Sequence, residues 1–478
     1  MTNRVLLLFL SLLFTGCLVG PNYRRPCVPI PETYHYEVSN AADTLNCAWW
    51  TLFDDPVLER LIAESLAYNN NLKAAAANVD VALGILMQTR APLFPQLGYT
   101  DSYSRSKLSN NYNQFNLPIP IGKPQDRWEA VITGSWELDF WGRLRRLVQS
   151  AQADVCASYQ SYRDVLLSLV SSVASSYIQL RGLDAQLVIA KRTKDTYWEA
   201  VQYFELQFKY GQVSEMAVAQ ARSQYEQAAT TIPQIEAQIV QTENALSVLL
   251  GRNPSSIPRG KNIEELKLPP VPAGLPSELL CQRPDILEAE MNLISANAQI
   301  GAAKALYFPS ISLTGEYGSI SEHLQQLFTG PSYTWNYFGT VTGPIFAGGA
   351  IYGQVAQAEA EQQVALYTYK ETIQNAFAQV ESALATHTLL QEQLKSQERL
   401  VAASGEYTHL AKLQYDGGYS PYFVVIQAQE QYFPAELSWA DVRAQVFTSL
   451  IDIYQSMGGG WITIAEQMSD CENSCEQP

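Results

Sequence analysis

Two hydrophobic periods alternate along the chain. Residues 144–209 and 350–416 contain no proline and are rich in Ala, Gln, Leu, Glu and Ser. Small and apolar residues recur there at helical spacing, as at Val148, Ala151 and Val155, with a weaker stripe at Ala358, Glu361, Gln362 and Ala365. At about 1.5 Å per residue each helix would run roughly 100 Å. No globular core needs that length, so coiled-coil packing or a tube wall is implied. Each helix is predicted to end in a glycine turn, "KYGQVSE" or "YDGGYSP". Gly211 and Gly418 suit the left-handed position there, and Ser214 can cap the returning helix. Returning helices reach about 250 and 457, each with one interior proline, Pro233 or Pro434, where a kink is expected. Shorter helices, about 57–91 and 285–305, precede the long ones.

Four segments between the helices switch to period two. Leu97, Tyr99 and Tyr103 alternate with Gly98, Thr100 and Ser102; Trp128, Ala130, Ile132, Trp136 and Leu138 alternate with Glu129, Thr133, Ser135 and Glu137. Ile311, Leu313 and Tyr317 alternate with Ser310, Ser312, Thr314 and Glu316; Trp335, Tyr337 and Val341 alternate with Asn336, Thr340 and Thr342. Strands of about ten residues with one apolar face and aromatic ends suit a tilted crossing of a bilayer. A half-buried sheet of a soluble α+β domain is the competing reading. Four strands cannot close a barrel, and open edges are not tolerated in hydrocarbon. Two copies give about 8 strands with a filled interior, whereas three give about 12 and a lumen. The expected fold class is an α+β membrane protein: a trimeric 12-stranded β-barrel, four strands per chain, continuous with a long α-helical coiled-coil tunnel.

The chain also repeats itself. A shift of 207 pairs Trp128 with Trp335, Gly142 with Gly349, Tyr162 with Tyr369, Gly211 with Gly418 and Gly251 with Gly458. Upstream, "RAPLFPQL" matches "KALYFPSI" at a shift of 214, pairing Pro95 with Pro309, so the first copy carries a loop seven residues longer. The expected division is 1–16 signal peptide, 17–55 lipid-anchored extended segment, 56–251 first repeat, 252–276 proline-rich strap, 277–461 second repeat and 462–478 polar tail. The barrel strands are expected at about 96–104, 127–138, 310–318 and 334–343, and the hairpin tips at 211 and 418.

The first residues say where the protein lives. Arg4 precedes the run "VLLLFLSLLF", too short to span a bilayer as a helix, and "FTGC" follows. This resembles the lipobox of bacterial lipoproteins, with Phe14 where Leu is usual and Cys17 as the acylated residue. An ordinary signal peptide beside an incidental cysteine is the alternative. No Asp follows Cys17, which favours outer-membrane sorting, and several acyl chains together anchor firmly. Cleavage would remove Arg4 and no acid, leaving 30 basic against 47 acidic residues, or −17. That balance argues against nucleic-acid binding. Cys27, Cys47, Cys156, Cys281, Cys471 and Cys475 fit no zinc spacing, and disulfides are permitted in an exported chain.

Several motifs together resemble the TolC-like outer-membrane efflux proteins, within them the lipid-modified, NodT-type outer-membrane components of resistance-nodulation-division (RND) efflux pumps. These are "CLVGPNYRRP", "WWTLFDDPVLERLIAESL", "QRPDILEAEMNLISANAQIGAAKALYFPSISL" and "SMGGGW"; only the last 17 residues fall outside the resemblance. It implies a homotrimer in outer-membrane lipid that passively conducts substrates, meets a periplasmic adaptor and serves an inner-membrane RND transporter. It implies no catalysis and no cofactor. By resemblance, adaptor docking falls on Tyr210, Gly211, Ser214, Gly418 and Ser420, and the tip gate on Tyr415, Phe423, Val424, Gln427 and Ala217. The gate departs from the family pattern. Val424 and Gln427 occupy two common aspartate positions, Ala217 replaces a frequent carboxylate, and Ser420 stands where some members carry arginine. Closure is therefore expected to rest on apolar and amide contacts rather than ionic locks.

Two other classes compete. A type I secretion duct shares this architecture, and a structural envelope lipoprotein would explain the cysteines without needing amphipathic strands. An enzyme is disfavoured: His35, His323, His387 and His409 are scattered, and "GGAIYGQ" lacks the lysine of a phosphate-cradling loop.

Overall fold

The computed structural model describes residues 18–29, 31, 34–36, 47–107, 124–272 and 276–467. The leader, Cys17, Cys471 and Cys475 lie outside the described residues. The first half runs α1 (Pro56–Tyr68), α2 (Asn70–Arg90), β1 (Gln96–Ser106), β2 (Gln125–Leu138), α3 (Arg143–Lys209) and α4 (Glu215–Leu249). The second runs α5 (Pro276–Gln282), α6 (Pro284–Ala305), β3 (Ser310–Ser321), β4 (Tyr333–Thr342), α7 (Ala350–Asp416) and α8 (Tyr422–Met457). The fold is mostly helical with one small sheet. Two compact units form. Of the described residues, one gathers 18–27, 79–158 and 289–369; the other gathers those of 28–78, 159–288 and 370–467.

In the first unit the strands pair antiparallel in the order β1-β2-β3-β4. One apolar row crosses all four, from Tyr99 to Ile132, Tyr317 and Trp335. The neighbouring row, Gly98, Thr133, Glu316 and Asn336, is small or polar. The apolar side has no cover among the described residues: Tyr99 is 81% and Tyr337 78% exposed. The two hairpins share a register. Gln96 opposite Ser135 becomes, after shifts of 214 and 207, Ser310 opposite Thr342, as observed. Gly318 is required by close approach, since a Cβ there would lie 2.2 Å from the Ala130 carbonyl oxygen.

The junction of β2 and α3 is tightly held. Asp139 accepts from the Leu144 and Arg145 amides at 3.0 and 2.9 Å, capping α3. Trp141 stacks on Phe308 at 4.5 Å and donates to the Pro309 carbonyl at 2.8 Å. Buried Arg146 donates to the carbonyls of Val19 and Gly20 and to Asn22 Oδ1, at 3.0–3.1 Å. The segment just after Cys17 is thus bound to this unit.

The second unit has an aromatic core in which Trp49 stacks on Tyr454 at 5.2 Å and meets Trp461 edge-on at 5.9 Å. Fully buried Asp55 caps α1 through the Val57 amide at 2.9 Å and accepts from the Tyr177 hydroxyl at 2.7 Å and the Lys261 amide at 3.2 Å. It thereby ties the strap to α1 and α3. Arg259 adds ion pairs to Asp184 and Glu243.

Two expectations are modified. The helix expected over 57–91 breaks at Asn69, whose side chain accepts from the Leu72 amide at 2.9 Å and donates to the Leu249 carbonyl at 2.8 Å. Residues 461–467 are helical, with Ile462 and Ala465 buried, so the tail begins as packed structure. Helices α4 and α8 each continue as one helix through Pro233 and Pro434. Cys27, Cys47, Cys156 and Cys281 are free and exposed. Among the described residues no helix is long and apolar enough to cross a membrane.

Candidate functional site: paired helix tips

Both long helices stop by the same device. After α3, the Gly211 amide donates to the Phe208 carbonyl and the Gln212 amide to the Gln207 carbonyl, each at 2.9 Å. After α7, the Gly418 amide donates to Tyr415 and the Tyr419 amide to Gln414, also at 2.9 Å. These are Schellman turns. The glycines have φ of 72° and 77°, and a Cβ on either would touch nothing within 4 Å. Backbone conformation, not crowding, therefore requires glycine there.

Ser214 takes the expected position but not the expected bond: it occupies the N-cap of α4, and its side chain makes no capping bond. Pro421, not Ser420, is the N-cap of α8, and the Ser420 hydroxyl is enclosed without a hydrogen-bond partner. Tyr210, Gly211, Ser214 and Gly418 are exposed, with Tyr210 joined by exposed Met216 and Tyr419; Ser420 is half-buried.

Behind the turns the two hairpins of the chain are joined by aromatic packing. Phe204 of α3 is 1% exposed and packs with Val201, Val218 and Ala221. Ala217, Tyr415 and Tyr422 close over this cluster. Ring centroids lie 4.2 Å apart for Phe204–Tyr422, 5.1 Å for Tyr415–Tyr422 and 6.3 Å for Phe204–Tyr415. Tyr415, Tyr422 and Val424 also pack on Ala411, Val425 and Ala428. Burial, then the neighbouring Tyr415, pushes the Tyr422 hydroxyl up to about 12. Burial likewise raises Tyr415, with Tyr203 beside it adding to the shift. Both rings therefore stay neutral in ordinary conditions. The nearby ion pair, Arg222 to Glu205 at 2.6 Å, is exposed on both sides and adds little.

Of the expected gate residues, the structure brings Ala217, Tyr415 and Val424 together. Phe423 and Gln427 are exposed and lie outside the clusters. Phe204 and Tyr422 were missed. The apolar spacing Tyr197, Val201, Phe204 marks the buried side of α3, but periodicity does not say which aromatics meet across hairpins. Among the described residues no group of three or more His, Cys, Asp or Glu is placed to hold a metal ion.

A sheet that is apolar on one face and polar on the other, joined to long paired helices with glycine-turned tips, defines an outer-membrane duct component. The chain belongs to the outer membrane efflux protein family, whose profile matches residues 61–252 and again 275–459. It is 34% identical over 457 residues to the cation efflux system protein CusC of Escherichia coli O6:H1, across 94% of this chain and 97% of CusC. It is also 34% identical over 453 residues to the probable efflux pump outer membrane protein TtgC of Pseudomonas putida, across 93% of each. The open-state structure of the Neisseria gonorrhoeae MtrE outer membrane channel superposes with a TM-score of 0.84 at 29% identity, over 93% of this chain and 99% of MtrE. The protein is an efflux channel of the outer membrane with a large periplasmic portion.

Proposed function

We propose that three copies form one passive exit duct, a 12-stranded barrel continuous with a helical tunnel, receiving substrates from an inner-membrane RND transporter through a periplasmic adaptor. In this reading the adaptor docks on the tips at Tyr210, Gly211, Ser214, Gly418 and Ser420. Ala217, Tyr415 and Val424 build the closed tip within each chain, while Phe423 and Gln427 face the neighbouring chains. Cys17 carries the acyl anchor beside the segment that Arg146 holds. Mass analysis of the mature chain would show lipid on Cys17 and none in Cys17→Ala; equal masses after correction for the side chain would remove the anchor.

The observation that carries the trimer is the sheet register. Among the described residues β1 and β4 each lack a partner on one edge, which hydrocarbon does not allow. Because β1·β2 and β3·β4 share a register under the repeat shifts, the β2·β3 register serves as a template for β4 against β1 of the next chain. It sets Thr340 opposite Ser102 and Thr342 opposite Thr100, with Val341 and Gly339 continuing the apolar face. A one-residue slip would reverse the faces.

The test is oxidative cross-linking in membranes of Thr340→Cys/Ser102→Cys, with every native cysteine except Cys17 replaced. Cα atoms across such a pair fall within about 7 Å, the disulfide limit. Covalent dimers and trimers are expected, and none for Thr340→Cys/Tyr103→Cys, whose side chains take opposite faces. A monomeric band for both pairs would refute the closed trimer.

A further inference from the structure

We infer that Glu316 sets the charge preference of the barrel lumen, favouring cationic over anionic solutes; this rests on the trimeric duct proposed above. The polar face of the four strands carries four ionisable side chains: Arg127, Glu129, Glu137 and Glu316. Three of them are compensated. Arg127 Nη2 lies 3.3 Å from Glu129 Oε2. Arg143 Nη2 reaches both oxygens of Glu137, at 2.9 and 3.0 Å. Glu316 has no cationic partner among the described residues. It accepts only from the neutral amide of Asn336, at 2.7 Å.

Its place along the strand makes that charge count. Glu316 is seventh of the twelve residues of β3. With a rise of about 3.3 Å per residue and a tilt of about 40°, it sits about 15 Å from the Ser310 end and about 13 Å from the Ser321 end. That is the middle of a hydrocarbon layer about 30 Å thick. Its row contributes only Gly98, Thr133 and Asn336 besides. Three copies therefore set three uncompensated carboxylates at one height, in a water-filled passage whose low-dielectric wall focuses their field. The Asn336 amide orients each carboxylate without neutralising it. The field reaches about 30 Å at 0.01 M salt and about 3 Å at 1 M. Cations of a given size are then enriched in the lumen and anions depleted, most strongly at low ionic strength.

The experiment is the K⁺/Cl⁻ permeability ratio of the full-length protein in planar bilayers under a KCl gradient, at about 0.01 M and about 1 M mean salt. Wild type prefers K⁺, and Glu316→Gln, which keeps side-chain size, lowers the ratio at least about twofold in low salt and far less in high salt. Glu316→Lys turns the preference toward Cl⁻. The double variant Arg127→Gln/Glu129→Gln, which removes a neutral pair, leaves the ratio in place. Conducting Glu316→Gln channels with the wild-type ratio at both concentrations would overturn the assignment. Protein that inserts but conducts neither as wild type nor with the tip loosened by Phe204→Ala would instead overturn the duct reading, and the inference with it.

Discussion

Replacing Phe204 with alanine should open the tip. Phe204 is 1% exposed and its ring packs against Tyr415 and Tyr422 of the second hairpin, beside the hydrogen bonds of Tyr203 and Gln207 with Tyr415. Truncating a buried Phe costs about 3–5 kcal/mol in stability, but only interactions that break on opening shift the gate. Two aromatic pairs cross between the hairpins, each worth about 0.5–1.5 kcal/mol beyond burial. If opening separates the hairpins, the closed state loses about 1–3 kcal/mol and the open:closed ratio rises about 5- to 150-fold. The assay is open probability in planar bilayers, with thermal unfolding alongside to show that the cavity formed. Phe204→Leu, which refills most of the volume, should fall between. A lowered unfolding temperature with unchanged open probability would refute the reasoning, because the cluster would then persist in both states. Closure should also vary little between pH 4 and 5, the carboxylate range, since neutral rings do the holding.

Two further perturbations separate backbone from side-chain effects. Gly418→Ala places a Cβ in open space at a φ of 77°; it should destabilise the hairpin by about 1–2 kcal/mol, and Gly418→Asn by less, as read by hydrogen exchange around the tip. Equal exchange in all three proteins would mean the turn is not left-handed in solution. His387 is buried, bonded to Ser449 Oγ at 2.9 Å and to the Gln391 amide at 2.8 Å, and burial lowers its pKa. The unfolded chain then binds a proton that the folded chain resists. Its stabilising effect is complete above about pH 6.5 and is lost as pH falls from there toward the lower folded value. His387→Gln should flatten unfolding temperature against pH in that window; an unaltered slope would assign the dependence elsewhere.

Much of this was legible in the residues because the physics involved is local. Period two with large apolar residues at Tyr99, Ile132, Tyr317 and Trp335 can satisfy only one face, and the strands align those residues in one row. Proline-free stretches became α3 and α7, and Gly211 and Gly418 ended them. What escaped depends on distant partners. The break at Asn69 is held by the Leu249 carbonyl, 180 residues away in sequence. The helix beginning at Trp461 exists because that ring packs on Trp49 and Trp50. At the tips, Ser214 takes the N-cap position of α4 that its local preference suggests, but its side chain makes no capping bond. Phe423 and Gln427 were placed by resemblance, and in a single chain both are exposed, outside the aromatic clusters.

The central claim is that four strands per chain close only as a trimer. Imaging the detergent-purified protein for size and symmetry tests it most directly. Three-fold particles with a central passage are predicted. Monomers, or two-fold particles, would contradict the account, because one or two copies of this sheet leave either open edges or a barrel without a lumen.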